Sequence, residues 1–310
     1  MSVAIYTKNT KQSNAWRIVL QEELPNQTIE VYPSISDHNK VELLICWKPY
    51  HGLIAQFPNL KAIQSLGAGV DHIFADNVID AHIQVSKIVD DQLTQDMWEH
   101  VLSIVLNDMK NLFQYQDQQK QNLWKPKRYK RINDVSIGIL GLGTIGSYVA
   151  RQFGLLGFIV LGWSRTNKQI DNVTTFVGNG GLESICNQSD YLINILPLTK
   201  ETRGILNKNL FSTMKTDSYL INVGRGQQLV ESDLIAALNS EQIRGAALDV
   251  FDMEPLPETH AFWENSNIQV TPHIASLTHI KSVYPQVVEN IKRLNAGSQL
   301  LNCIDIEKGY

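Results

Sequence analysis

Short apolar runs recur through the first ninety residues, at 3–6, 29–32, 43–47, 62–66 and, most briefly, 83–85. Runs of that length predict strands, and the mixed segments between several of them are long enough for helices. Strands alternating with helices imply an α/β domain on a parallel sheet. From Asp91 to about Gln116 the spacing becomes helical, with Leu93, Met97, Val101, Ile104, Val105, Met109 and Leu112 on one side, which predicts a single long helix bridging two domains. The Gln-rich stretch 114–122 reads as the solvated end of that helix. Lys125, Lys127, Arg128, Lys130 and Arg131 follow beside Pro126 and read as a solvated linker, with anion attraction as the alternative. Trp124 fits a core, an interface or an active-site lid equally.

A second alternation starts at Val135. Val135, Ile137 and Ile139 point one way, as in a strand, whereas Ile145, Val149 and Phe153 fall on one face of a helix. The period switches across Gly141-Leu142-Gly143-Thr144-Ile145-Gly146. In such a G-x-G-x-x-G turn Gly141 allows the tight bend, Gly143 lets backbone approach a pyrophosphate, and Gly146 lets the helix pack closely; the N–H groups of Thr144 and Ile145 face the anion. The run 158–163 supplies the second strand that the motif requires. Later strands read at 191–196, 218–223, 245–250 and 268–271, with Ser232 as the N-cap of the helix carrying Leu234, Ile235 and Leu238. Tyr284, Val287, Val288, Ile291 and Leu294 mark an amphipathic helix that returns the chain to the first domain. No internal repeat at solenoid periods is present. The expected division is a substrate domain of residues 1–98 with 287–310 returning to it, and a dinucleotide-binding domain of 99–286.

An NAD-binding unit ordinarily ends its second strand in a carboxylate that holds the ribose 2′-OH. Here Trp163-Ser164-Arg165-Thr166-Asn167-Lys168 stands in that place, with Arg165 able to pair with a 2′-phosphate and Ser164, Thr166 and Lys168 adding donors. This predicts NADPH over NADH. In the first domain, Gly67-Ala68-Gly69-Val70-Asp71 forms a glycine loop after a strand. It reads either as a backbone cradle for a carboxylate or as a plain strand-to-helix turn.

Composition narrows the function classes. The chain has 310 residues, enough for two domains, with 43% hydrophobic and 19% charged residues and a net charge of −4, which suggests neither a nucleic-acid nor a membrane partner. Cys46, Cys186 and Cys303 are odd in number and far apart, as free thiols in a reducing compartment are. No run is long enough for a membrane span, and Met1 to Tyr6 enters a strand directly, so a cytoplasmic protein is expected. His72, His82, His100 and His279 show no metal-like pairing, and no metal is expected.

Three polar groups stand at or beyond successive strand ends of the second domain: Arg225 in Asn222-Val223-Gly224-Arg225-Gly226, Glu254 in the segment from Asp249 to Pro257, and His273 in Thr271-Pro272-His273-Ile274-Ala275-Ser276. Open α/β sheets place their ligands at such ends. The three offer a fixed cation, for which Arg225 supplies a planar fork, and a proton donor near neutral pH, the natural role of His273; a carboxylate such as Glu254 orients the ring and favours its protonated form. With these segments in this order, the sequence closely resembles the D-2-hydroxyacid dehydrogenase family over nearly its whole length. Within it the sequence is most similar to the glyoxylate/hydroxypyruvate reductase branch, through Trp163-Ser164-Arg165-Thr166 and the terminal Lys308-Gly309-Tyr310.

The resemblance implies an α/β protein with a Rossmann-type doubly wound sheet, a smaller flavodoxin-like α/β substrate domain and an active site in the cleft. It implies NADPH-dependent reduction of glyoxylate and hydroxypyruvate to D-2-hydroxy acids, and a homodimer. Cofactor contacts would include Leu196, Pro197, Val223, Asp249 (on the nicotinamide carboxamide) and Ser276, while the backbone of Ala68 and Gly69 would hold the substrate carboxylate beside Arg225 and His273. The alternatives are a D-lactate or phosphoglycerate type of dehydrogenase, or a nucleotide-sensing, corepressor-like interaction protein. Asn194 invites no functional conclusion, and Trp47, Trp98 and Trp124 fit a pocket wall or a core.

Overall fold

A computed structural model describes residues 1–74 and 79–305. The chain forms two compact units, one of residues 1–93 with the segment from Thr278 onward, the other Thr94–Leu277.

The first unit contains β1 (Ser2–Thr7), α1 (Thr10–Glu23), β2 (Thr28–Val31), β3 (Val41–Trp47), β4 (Ala62–Ser65), α2 (Asp71–Phe74) and β5 (Gln84–Ser86). These strands pair with one another in parallel and the order is β2-β1-β3-β4-β5, the flavodoxin-like arrangement that the resemblance implied. The central strands β1 and β3 are buried on both faces, hence their near-continuous apolar sequences. Trp16 and Leu20 of α1 fill one side, together with Val283, Val287, Ile291 and Leu294 from the C-terminal helix. Buried Asn290 on that helix ties it to the sheet, donating to Gln64 Oε1 (2.7 Å) and Ser86 Oγ (3.1 Å). Because Val283 already packs in this core, the helix belongs to the first unit from its start and not only from Val287.

The second unit opens with most of α3 (Asp91–Met109), then α4 (Leu112–Lys120), β6 (Ser136–Leu140), α5 (Thr144–Leu155), β7 (Ile159–Trp163), β8 (Val173–Phe176), α6 (Gly178–Gln188), β9 (Tyr191–Asn194), α7 (Lys208–Thr213), β10 (Ser218–Asn222), α8 (Glu231–Asn239), β11 (Ile243–Leu248) and β12 (Ile268–Val270). The helix returning to the first unit is α9 (Ile280–Asn295). The sheet order β12-β11-β10-β9-β6-β7-β8 is the doubly wound Rossmann arrangement, with its reversal between β6 and β9. Helices cover both faces, giving one core beneath α3 and α5 and a second beneath α6, α7 and α8.

Two local expectations are corrected, and one strand appears that no expectation covered. The helix expected over 91–116 is broken: α3 ends at Met109 and α4 starts after Asn111, whose φ of +56° is left-handed. Leu112 and Phe113 are exposed, so no core rewards continuing the apolar stripe, and asparagine tolerates that conformation. Ser232 does not cap α8, which starts at Glu231 behind Val230; Glu231 and Asp233 place negative charge in its first turn instead. The edge strand β8 was not foreseen, because its half-buried Val173-Thr174-Thr175-Phe176 carries no strong alternation.

At the N-terminal edge of the sheet Asp190 acts as a staple. Its Oδ1 accepts from Lys215 Nζ (2.7 Å) and Lys130 Nζ (2.9 Å), and its Oδ2 from Ser136 N (3.0 Å) and Oγ (3.1 Å). Against the opposing effect of burial, these bonds bring its carboxyl down to about 2. A carboxylate lowered on folding contributes stability that is complete above its unfolded value and fades as pH falls towards the folded one. Asp190→Asn should therefore cost about 1–2 kcal/mol near neutral pH, with the ammonium groups partly solvated, and the gap from the parent should narrow as pH drops from about 4 towards 2. Denaturant titrations across that range measure it; a gap that widens on acidification would contradict the staple.

Candidate active site

The glycine turn joins β6 to α5. Gly141 has φ +105°, open to glycine and strained for other residues. A Cβ on Gly146 would lie 1.8 Å from the Gly141 carbonyl oxygen, so only a hydrogen there allows the helix to start against the turn. A Cβ on Gly143 would meet nothing within 4 Å, and this open approach lies at the N-terminus of a 12-residue helix. Space for a phosphate in front of unbonded helix N–H groups, those of Thr144 and Ile145 among them, fits a dinucleotide pyrophosphate.

At the end of β7, Ser164 is half-buried whereas Arg165, Thr166 and Lys168 are exposed. Ser164 Oγ donates to the Thr166 carbonyl (2.7 Å) and Thr175 Oγ1 to that of Lys168 (2.7 Å), which ties the loop down while the cationic groups remain in solvent. Glu201 lies near Arg165, and a Thr199 hydrogen bond, with Arg165 adding attraction, holds its carboxyl below the usual range.

Arg225 follows β10 and is positioned by buried amides that sequence reasoning left unassigned. Asn194, Asn222 and Gln228 are fully buried. Asn194 Nδ2 donates to Asn222 Oδ1 (2.9 Å) and Gln228 Oε1 (2.7 Å), Gln228 Oε1 accepts from Arg225 N (2.8 Å), and Asn222 Nδ2 donates to the Arg225 carbonyl (3.3 Å). Gln228 Nε2 also holds the carbonyls of Leu196 (3.1 Å) and Pro197 (3.0 Å), while Val223 N donates to the Asn194 carbonyl (3.1 Å). One network thus sets the loops after β9 and β10. Its signal in the sequence is polar residues ending otherwise apolar strands. A Cβ on Gly226 would sit 1.8 Å from the Phe251 carbonyl carbon, so the Arg225 loop packs directly on the segment leading to Glu254.

His273 Nδ1 lies 2.9 Å from both carboxylate oxygens of Glu254, and Glu254 Oε1 also accepts from Phe251 N (3.2 Å). An ionised carboxylate only accepts, so Nδ1 carries the hydrogen and Nε2 is the ring atom turned away from the pair. His273 itself has φ +56°, a rare backbone state for a residue with a side chain. The 2% exposed Asp249 secures it: Thr271 Oγ1 (2.5 Å) and Ile274 N (2.9 Å) donate to Oδ1, and Ala275 N (2.9 Å) donates to Oδ2. Both Asp249 oxygens therefore bond the His273 segment, whereas the resemblance assigned this side chain to the carboxamide. His100 Nε2 on α3 lies 4.0 Å from Oδ1; burial lowers the imidazole's pKa, with Asp249 opposing. Ser276 follows this segment and is half-buried.

The tryptophans differ. Trp98 is core, edge-on to Phe153 at 4.7 Å, Trp124 is 98% exposed, and Trp47 is half-buried against His72 at 4.3 Å in the first unit. Ala68 and Gly69 in that unit's glycine loop are half-buried. Burial pushes the thiols of Cys46 and Cys186 up, the latter to about 12, as inert core cysteines. The terminal Lys308-Gly309-Tyr310 lies outside the described residues.

Comparison with known proteins decides the family. The family model described as D-isomer specific 2-hydroxyacid dehydrogenase, NAD binding domain, matches residues 102–275. The chain belongs to the D-isomer specific 2-hydroxyacid dehydrogenase family. This dehydrogenase is 38% identical, over 96% of its own chain and 97% of the other, to glyoxylate/hydroxypyruvate reductase A of Yersinia enterocolitica. It is 39% identical to the protein of the same name from Photorhabdus laumondii over 95% and 96% of the two chains. Among solved structures, the D-isomer specific 2-hydroxyacid dehydrogenase of Xanthobacter autotrophicus Py2 in complex with NADPH and MES matches at TM-score 0.92 and 35% identity, covering 100% of this chain and 99% of that one. The NADPH-dependent glyoxylate/hydroxypyruvate reductase of Sinorhizobium meliloti, in complex with NADP and sulfate, matches at TM-score 0.92 and 31% identity over 100% of both chains. Among the described residues, no helix of the dehydrogenase is long and apolar enough to cross a membrane.

Proposed function

We propose that this dehydrogenase reduces small 2-oxo acids, glyoxylate and hydroxypyruvate, to 2-hydroxy acids with NADPH in preference to NADH. The observation that carries the chemistry is the His273–Glu254 pair, whose 2.9 Å contacts leave a ring nitrogen turned away from the carboxylate. Bound reduced nicotinamide supplies the hydride. The guanidinium of Arg225 grips the substrate carboxylate and polarises the carbonyl beside it. Protonated His273 gives its Nε2 proton to the carbonyl oxygen, so the product leaves as an alcohol and the ring stays neutral until it is reprotonated. Glu254 keeps Nδ1 protonated and aimed, and Asp249 holds the backbone on which the ring stands. In the first unit, backbone N–H groups of Ala68 and Gly69 are assigned to a carboxylate.

The NADPH preference is supported by Arg165 at the end of β7, by the absence of a carboxylate from 163–168, and by the cofactors bound in the Xanthobacter and Sinorhizobium proteins. Arg165→Ala should lower kcat/KM with NADPH about tenfold or more and leave the NADH value nearly unchanged, since a charged hydrogen-bonded pair is worth roughly 1.5–3 kcal/mol. A panel of glyoxylate, hydroxypyruvate, pyruvate and phosphohydroxypyruvate with both cofactors tests the whole reading; turnover of the last two alone would replace it with the lactate or phosphoglycerate alternative. A cytoplasmic homodimer completes the proposal. Leu112, Phe113, Leu123, Trp124 and Tyr129 are exposed within one stretch and offer apolar surface for a second copy, and light scattering reads the mass.

A further inference from the structure

We propose that His72 is a positioning residue for the glycine loop at 67–71, acting as a neutral bridge of fixed tautomer between the ends of β3 and β4; this rests on the assignment of that loop to the substrate carboxylate. Lys48 N donates to His72 Nδ1 at 3.3 Å, and His72 Nε2 stands 3.2 Å from Ser65 Oγ. A backbone N–H only donates, so Nδ1 is the acceptor and the ring hydrogen sits on Nε2, where it is given to Ser65 Oγ. That hydroxyl passes its own hydrogen to the Gly69 carbonyl at 2.8 Å and accepts from Gly67 N at 3.3 Å. The polar chain runs in one direction from Lys48, through His72 and Ser65, into the loop.

The surroundings leave this chain little freedom. Ser65 is fully buried at the end of β4. Lys48, just beyond β3, has φ +49°, a state that an outside bond must help to hold. The Trp47 ring packs edge-on against His72 at 4.3 Å and also covers Gly67, where a Cβ would come within 2.4 Å of it. The imidazole thus joins two strand ends, and through Ser65 it sets the carbonyl of Gly69, the residue whose N–H is assigned to the carboxylate. A phenyl ring, larger but equally planar, would keep an aromatic face against Trp47 and lose the bonds to Lys48 N and Ser65 Oγ.

The test compares His72→Phe, His72→Gln and Ala68→Pro as full-length enzymes, with glyoxylate varied at saturating NADPH and NADPH binding followed separately by fluorescence. In His72→Phe the KM for glyoxylate should rise about tenfold, as expected for two lost hydrogen bonds, with kcat within about threefold and NADPH affinity unchanged. His72→Gln keeps a donor able to reach Ser65 and should recover part of that loss; it also serves as the readable variant if the phenylalanine form fails to fold. Ala68→Pro removes a loop N–H and should raise KM independently of His72. If Ala68→Pro raises KM while both His72 variants match the parent, the positioning role is overturned and the loop assignment survives. If none of the three moves KM, the loop assignment fails and the proposal fails with it. Parallel losses of kcat and NADPH affinity in the His72 variants would mark a general folding role and overturn the proposal.

Discussion

His273→Ala should reduce kcat for oxo-acid reduction by about 10²–10⁴-fold, the usual worth of a positioned general acid. NADPH affinity, read by fluorescence titration, should change little, because the pyrophosphate turn and the loop after β7 do not involve this ring. The structure makes the control sharp. His273 holds φ +56° through bonds that its neighbours Ile274 and Ala275 make to Asp249, not through its own side chain, so truncating the imidazole leaves the backbone anchors in place. A milder form of the same experiment is Glu254→Gln, which keeps an acceptor near Nδ1 and removes the charge; it should lower kcat less than His273→Ala does. If His273→Ala retains near-parental kcat, another group donates the proton and the proposed chemistry falls. If NADPH affinity drops in step with kcat, the loss belongs to the fold.

Gly146→Ala and Gly143→Ala should both weaken NADPH binding but differ in stability. The added carbon at 146 meets a backbone carbonyl oxygen at 1.8 Å, and neither partner is a flexible side chain that could move aside. Separating α5 from the turn should cost about 1–3 kcal/mol or more, seen as a lower unfolding midpoint, and should carry NADPH affinity down with it. At 143 the carbon enters open space, so stability should stay within about 0.5 kcal/mol of the parent while NADPH affinity falls, because the methyl occupies the approach assigned to the pyrophosphate. A Gly143→Ala enzyme that binds NADPH as the parent does would remove the pyrophosphate from this turn.

The two parallel sheets were legible because buried parallel strands need apolar residues on both faces, and that demand is written locally; β1, β3, β6 and β10 all fall where the runs lie. The contact between Glu254 and His273 was legible for a related reason, since polar groups of such sheets collect beyond strand ends and a carboxylate suits an imidazole. Other features had no local mark. The half-buried β8 alternates too weakly, and the break at Asn111 depends on there being no core beyond Met109.

The sequence by itself therefore determined the α/β fold class, most of the buried strands and the glycine turn, all of which follow from short-range spacing. Only the tertiary structure decided which polar groups hold which. Asn194, Asn222 and Gln228 join around the Arg225 backbone, Asp249 turns both oxygens to the His273 segment, and His72 reaches back to Lys48. These partners come from different strands and loops. Hydrogen bonds between them arise from the satisfaction of buried donors and acceptors once the chain has folded, a requirement that a linear pattern does not encode.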